Sequence, residues 1–255
     1  MSRPRSTVVD SQLLRIQGHR VRMRIEGEGD PLLLLNGLTR PLESWGPLTQ
    51  AMGGRTIICF DTPGVGGSPT PILPLSIPMM AGLADSLLDE IGLGRADVLG
   101  FSHGGAVAQQ LAVDAPAKVR RLVLVSTSCG VGATPGSQAS LRSARTPADA
   151  GSWPRAQAVG MLWHSLAIFG WSSIPFLGAI RVPTLVVCGA RDRVVPPANS
   201  RLLARRIPSA DLVMLSAAHD LQRPGPARAL ADAVEHFLAA DSPSTELDSE
   251  AHDHA

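Results

Sequence analysis

Apolar and polar positions follow two different patterns along this chain. Over residues 13–29, "LLRIQGHRVRMRIEGEG" alternates on either side of Gly18-His19, which predicts two short strands joined by a hairpin. Further on, the apolar positions run without alternation: "PLLLLNG" at 31–37, "RTIICFD" at 55–61, "ADVLGF" at 96–101, "VRRLVLVST" at 119–127, "VPTLVVCGA" at 182–190 and "ADLVMLSA" at 210–217. Short apolar runs closed by turn residues predict strands buried on both faces. Helix-like segments lie between them. Residues 76–92, "SIPMMAGLADSLLDEIG", space their apolar positions helically and end in glycine. Residues 103–116, 196–208 and 225–240 follow three of the later strands in the same way. Strand alternating with helix predicts a mostly parallel, eight-stranded sheet with helices on both faces.

One segment breaks the alternation. Residues 129–181 separate two strands and divide the predicted core into residues 1–128 and 182–240. The first half of this segment is rich in Gly, Pro, Ser and Ala. The second half, "AVGMLWHSLAIFGWSSIPFLGAI", is apolar. Two readings are open: a short helical lid over the strand ends, or a core helix. The insertion point, beside the strand ends where a site would lie, favours the lid. Residues 241–255 are polar and acidic without periodicity, and predict a disordered tail.

Composition narrows the setting. A formal net charge of +1, with the arginines scattered, gives no reason to expect nucleic acid as a partner. No apolar run approaches the ~18 residues of a membrane span, and no secretory signal opens the chain. The three cysteines match no zinc spacing, and Cys59 and Cys188 sit in apolar runs as small hydrophobes. The expectation is a soluble cytoplasmic protein.

Candidate chemistry centres on "VLGFSHGGAVAQQLA", residues 98–112, where Ser102 stands in G-x-S-x-G between a strand and a helix. The tetrad alone is weak. Its context makes it specific, because a serine on a sharp strand-to-helix turn is strained, projects into a cleft and faces a helix N-terminus. A serine nucleophile needs a base, and the base an orienting carboxylate. Asp192 follows the strand at 182–190, and His219 follows the last strand. The order Ser102, Asp192, His219 is that of the strand–G-x-S-x-G–helix hydrolases. Asp192 taken alone could be a helix cap or a surface charge. Asp220 is too close to His219 to face its Nδ1, and Asp61 precedes the serine and is read as shaping the loop at 63–68. Of the seven histidines, His164 falls in the insertion and could line a pocket, and His19 falls at the hairpin. His236 falls in the last helix, and His252 and His254 fall in the tail. The ring of His103 is expected to point away from Ser102. The backbone N–H groups of His103 and Leu38 are the expected oxyanion donors, although Asn36-Gly37 could also be a plain turn.

Taken together, "LLLLNG", "FDTPGVGGS", "GFSHGGAVAQQLA", "RRLVLVSTS", "PTLVVCGARDRVVPP" and "AAHDLQ" resemble the α/β-hydrolase superfamily over about residues 20–240. Asn36, "DTPGVGGS", "GGAVAQQLA" and "GWSSIPFLGAIRVPTLVV" resemble its intracellular poly(3-hydroxyalkanoate) depolymerase-like branch. The resemblance implies ester hydrolysis through an acyl-enzyme on Ser102, with Asp192 and His219 completing a triad. The substrate would be a small or polymeric apolar or 3-hydroxyacyl ester, with no metal or organic cofactor. Two departures from the branch are His103, where it carries a bulky aromatic residue, and the short insertion. Rival readings are a small-ester lipase or esterase, a thioesterase or a cofactor-free haloperoxidase or perhydrolase. A non-catalytic binding protein on the same scaffold is a further one.

Overall fold

The structure is a computed structural model that describes residues 11–137 and 155–239. Its sheet has eight strands in the order β1-β2-β4-β3-β5-β6-β7-β8. The hairpin is β1 (Gln12–Ile16) and β2 (His19–Glu26), turned by Gln17 and Gly18 at φ +47° and +82°. Two consecutive positive φ values make the tight turn whose twist matches the strands it joins. β2 pairs antiparallel with β4 (Arg55–Phe60). Every later pairing is parallel: β3 (Asp30–Leu35), β5 (Ala96–Phe101), β6 (Val119–Val125), β7 (Thr184–Gly189) and β8 (Ala210–Leu215).

The continuous apolar runs bury alternate side chains on opposite faces. Leu33, Leu35, Ile58, Phe60 and Val98 point to one core, and Leu32, Leu34, Ile57, Cys59 and Leu99 to the other. The first core is covered by α2 (Ile77–Glu90), α3 (His103–Asp114) and α5 (Pro197–Arg206). The second is covered by α1 (Gly46–Ala51) and α6 (Pro224–Ala239). Burying each such leucine or isoleucine contributes about 1.5–3 kcal/mol. α1 escapes prediction because six residues are too short to display a period.

Between β6 and β7 lies α4 (Arg155–Phe169); residues 138–154 and the tail from 240 lie outside the described residues. α4 packs against the loop after β4, and its Ala167 and Ile168 also touch the first core. Trp163 Nε1 donates to Pro71 O at 3.2 Å, and His164 Nε2 lies 3.0 Å from Pro63 O. Gly160 sits so close to Gly64 that a side chain would overlap its backbone. Val159, Met161, Leu162, Leu166 and Phe169 remain exposed. Asp61 holds that loop, accepting from the N–H groups of Gly67 and Leu42 and from Arg22. All three cysteines are buried and unpaired, and burial pushes the Cys59 thiol up to about 12. Among the described residues, no helix is long and apolar enough to cross a membrane.

Candidate active site

From residue 96 to residue 112 every side chain is buried except that of Ser102. The turn that exposes it is imposed by close packing. Ser102 N–H still donates to Val125 O at 2.8 Å, continuing the β5–β6 ladder, and Ser102 O already accepts from Gly105 N–H at 2.9 Å, opening α3. One residue therefore belongs to both elements, at φ +52° and ψ −114°, a conformation an L-residue holds only when its surroundings over-determine it. The glycines supply the clearance. A Cβ on Gly100 would lie 2.7 Å from Ala108 Cβ, and one on Gly104 would overlap Leu35 O at the end of β3.

Asp192 and His219 reach each other from neighbouring strand ends. Asp192 follows β7 in a turn, Asp192 N–H donating to Gly189 O at 3.0 Å, and is 3% exposed. Its oxygens divide the work. Oδ1 accepts from the N–H groups of Val194 and Val195 at 2.8 and 2.9 Å, and Oδ2 lies 2.8 Å from His219 Nδ1. A carboxylate can only accept, so the hydrogen lies on Nδ1, and the lone pair of the ring is left on Nε2. The cap and triad readings of Asp192 are therefore compatible. Its Oδ1 orders the loop and its Oδ2 orients the imidazole.

The link to Ser102 is less direct. Among the described residues, neither Ser102 Oγ nor His219 Nε2 has a hydrogen-bond partner. The two residues are related through Phe101, the neighbour of Ser102, whose ring centroid is 5.3 Å from that of His219. The N–H groups of Leu38 and His103 are likewise unpartnered among the described residues. A cleft of about 540 Å³ opens beside His219, walled by Arg191, Arg193, Val194, Ser216 and Asp220. His219 is among its lining residues and Ser102 is not.

The other histidines separate cleanly. His103 turns its ring onto His164 of α4, with centroids 5.1 Å apart and planes 17° from parallel. His103 Nε2 and His164 Nδ1 are buried without partners. Desolvation holds His103 down to about 3 and lowers His164 as well. Both rings are therefore neutral at physiological pH. His19 starts β2 and His236 lies in α6, while His252 and His254 fall outside the described residues. Among the described residues, no group of three or more His, Cys, Asp or Glu side chains is arranged to hold a metal ion. Sequence reasoning overlooked Arg40 and Gln222. Their partners lie some 180 residues away in the chain, so no local pattern marks them.

Comparison with known proteins places the chain in a family. The profile described as alpha/beta hydrolase fold matches residues 30–164. The chain belongs to the α/β-hydrolase family. It is 36% identical over 219 residues to the poly(3-hydroxyalkanoate) depolymerase of Ectopseudomonas oleovorans, covering 74% of this chain and 77% of that one. Among solved structures, a hydrolase from Pseudomonas aeruginosa PA01 superposes with a TM-score of 0.77 at 28% identity, covering 91% of this chain and 99% of that one. The enol-lactonase of Burkholderia xenovorans LB400 superposes with a TM-score of 0.76 at 26% identity, covering 89% and 100%. This α/β hydrolase therefore shares its sheet and framework with that hydrolase and that enol-lactonase.

Proposed function

We propose that this α/β hydrolase is a serine carboxylic-ester hydrolase. The reading rests on the Asp192–His219 hydrogen bond, one aromatic ring away from a strained, half-exposed serine. His219 Nε2 removes the Ser102 proton as Oγ attacks the ester carbonyl, and the oxyanion settles against the N–H groups of Leu38 and His103. The imidazolium, oriented by Asp192, then protonates the leaving alcohol. Water attacks the acyl-enzyme by the same route in reverse roles, releasing the acid and restoring Ser102.

The substrate class is an apolar or 3-hydroxyacyl ester. The relative at 36% identity is named a poly(3-hydroxyalkanoate) depolymerase, and α4 offers apolar side chains on its outer face. Within the insertion at residues 129–181, α4 serves as the helix of a cap over the strand ends. Three unpaired thiols fit a reducing compartment such as the cytoplasm. The likeness to an enol-lactonase supports a second reading, a small cyclic or simple ester as substrate.

The test is hydrolysis of p-nitrophenyl esters together with labelling by a fluorophosphonate. Ser102→Ala should abolish both while the fold persists, and undiminished turnover in that variant would refute Ser102 as nucleophile. A chain-length panel with lactones, 3-hydroxyacyl oligomers and amorphous polyester granules separates the two substrate readings.

A further inference from the structure

The loop carrying Leu38 leaves β3, and the loop carrying His219 leaves β8, with β5, β6 and β7 between them in the sheet. No ladder of backbone hydrogen bonds can set the distance between these two loops. Side chains do so instead. Arg40 Nη2 donates to Asp220 Oδ2 at 2.9 Å, and Nη1 donates to Gln222 Oε1 at 3.0 Å. Gln222 Nε2 donates in turn to Asn36 Oδ1 at 3.0 Å, the same oxygen that accepts Gly37 N–H at 2.9 Å. Asn36 Nδ2 closes the first loop on itself through Pro41 O and Ser44 Oγ. Arg223 Nε adds a second cation to Asp220 Oδ2 at 3.0 Å.

The floor beneath this bridge is Phe101. The Arg40 guanidinium lies 5.4 Å from its centroid, and a Cβ on Gly37 would meet the ring at 2.8 Å. His219 also packs on this ring, and Trp45 meets it edge-on with centroids 6.5 Å apart. Gln222 is 2% exposed and Asn36 is 6% exposed, so these hydrogen bonds form out of water, where geometry counts most. A planar guanidinium reaching two acceptors at once fixes an angle as well as a distance, which a lysine cannot do.

From this we infer that Arg40 and Gln222 are positioning residues that clamp the oxyanion-donor loop to the histidine loop, setting Leu38 N–H and His219 in register over Ser102. The inference rests on the ester-hydrolase reading above. It assigns a reason for the Arg40–Asp220 pair beyond surface charge, and a role to Gln222 that its distance in sequence conceals.

The test uses the full chain carrying Arg40→Met, Gln222→Glu, or both. Gln222→Glu keeps an oxygen for Arg40 and nearly the same shape, and loses the N–H donated to Asn36; it guards against a misfolded Arg40→Met. Active sites are counted by fluorophosphonate, and kcat is expressed per labelled site. The expected result is a loss of roughly 10- to 100-fold in kcat with KM within about threefold, as for a displaced oxyanion donor. Affinity for a boronic-acid analogue of the tetrahedral state should fall by a similar factor. The double variant should lose little more than the worse single one, because both break one bridge. Arg40→Lys should recover part of the loss. If kcat per site and boronate affinity stay within about threefold in Gln222→Glu and in folded Arg40→Met, the clamp is overturned and the bridge merely packs the loops. A wild-type protein with neither turnover nor label would overturn the hydrolase reading and this assignment together.

Discussion

Two regions near the strand ends each bury a histidine, and their difference is instructive. His219 is 8% exposed and His103 is 7% exposed, so burial does not distinguish them. Their partners do. His219 has a carboxylate 2.8 Å from Nδ1, a charge that offsets the cost of forming an imidazolium in a dry site. His103 has a neutral ring stacked on it in place of a carboxylate, and desolvation holds it down to about 3. The first region suits a base that must take and return a proton. The second suits a polar-edged packing element that joins α4 to α3. Burial by itself disables a histidine, and a buried carboxylate partner makes it useful.

The sharpest attack on this contrast exchanges the two roles. His219→Ala should lower kcat by at least about 10⁴-fold, whereas His164→Phe, which keeps a flat ring against His103, should stay within about tenfold. Steady-state kinetics on both variants decides, and a similar loss in the two would dissolve the distinction. Asp192→Asn attacks the partner instead of the base. An amide can present its N–H to Nδ1 and stabilise the wrong tautomer, so a loss of roughly 10⁴-fold is expected with the fold retained. A loss under tenfold would point to another carboxylate.

Next in size is the turn itself. Gly104→Ala drives a methyl group into Leu35 O and should cost at least about 2 kcal/mol in urea unfolding. No change in midpoint would mean that β3 and α3 approach less closely than described.

The last contrast is the pH dependence of stability. An unfolded histidine binds its proton near pH 6.5, whereas folded His103 does so only near 3. Between those values the unfolded chain holds more protons, so stability falls as the pH falls, by up to about 1.4 kcal/mol per unit for this group. Unfolding midpoints measured from pH 7 to pH 4 should show a shallower decline in His103→Phe than in the wild type. Identical slopes would remove His103 as the cause.

How much was legible follows from how far each interaction reaches along the chain. The strands, four of the helices and the turn at Ser102 depend on neighbours within a few positions: runs of leucine and valine, helical spacing, and glycines that clear a strand-to-helix junction. The alternation of strand and helix also determined the order in which Ser102, Asp192 and His219 would meet strand ends. Chain order alone could not state that β3 lies between β4 and β5, or that β8 ends the sheet. The tertiary structure alone therefore decided which loops meet. It divided the two oxygens of Asp192 between a turn and an imidazole, and stacked His103 on His164. It also drew Arg40 to Asp220 and Gln222, giving Asp220, the discarded neighbour of His219, a cation as partner. The physical reason is that hydrophobic patterning is written residue by residue, whereas a polar partner is chosen only when two distant loops are brought into the same dry space.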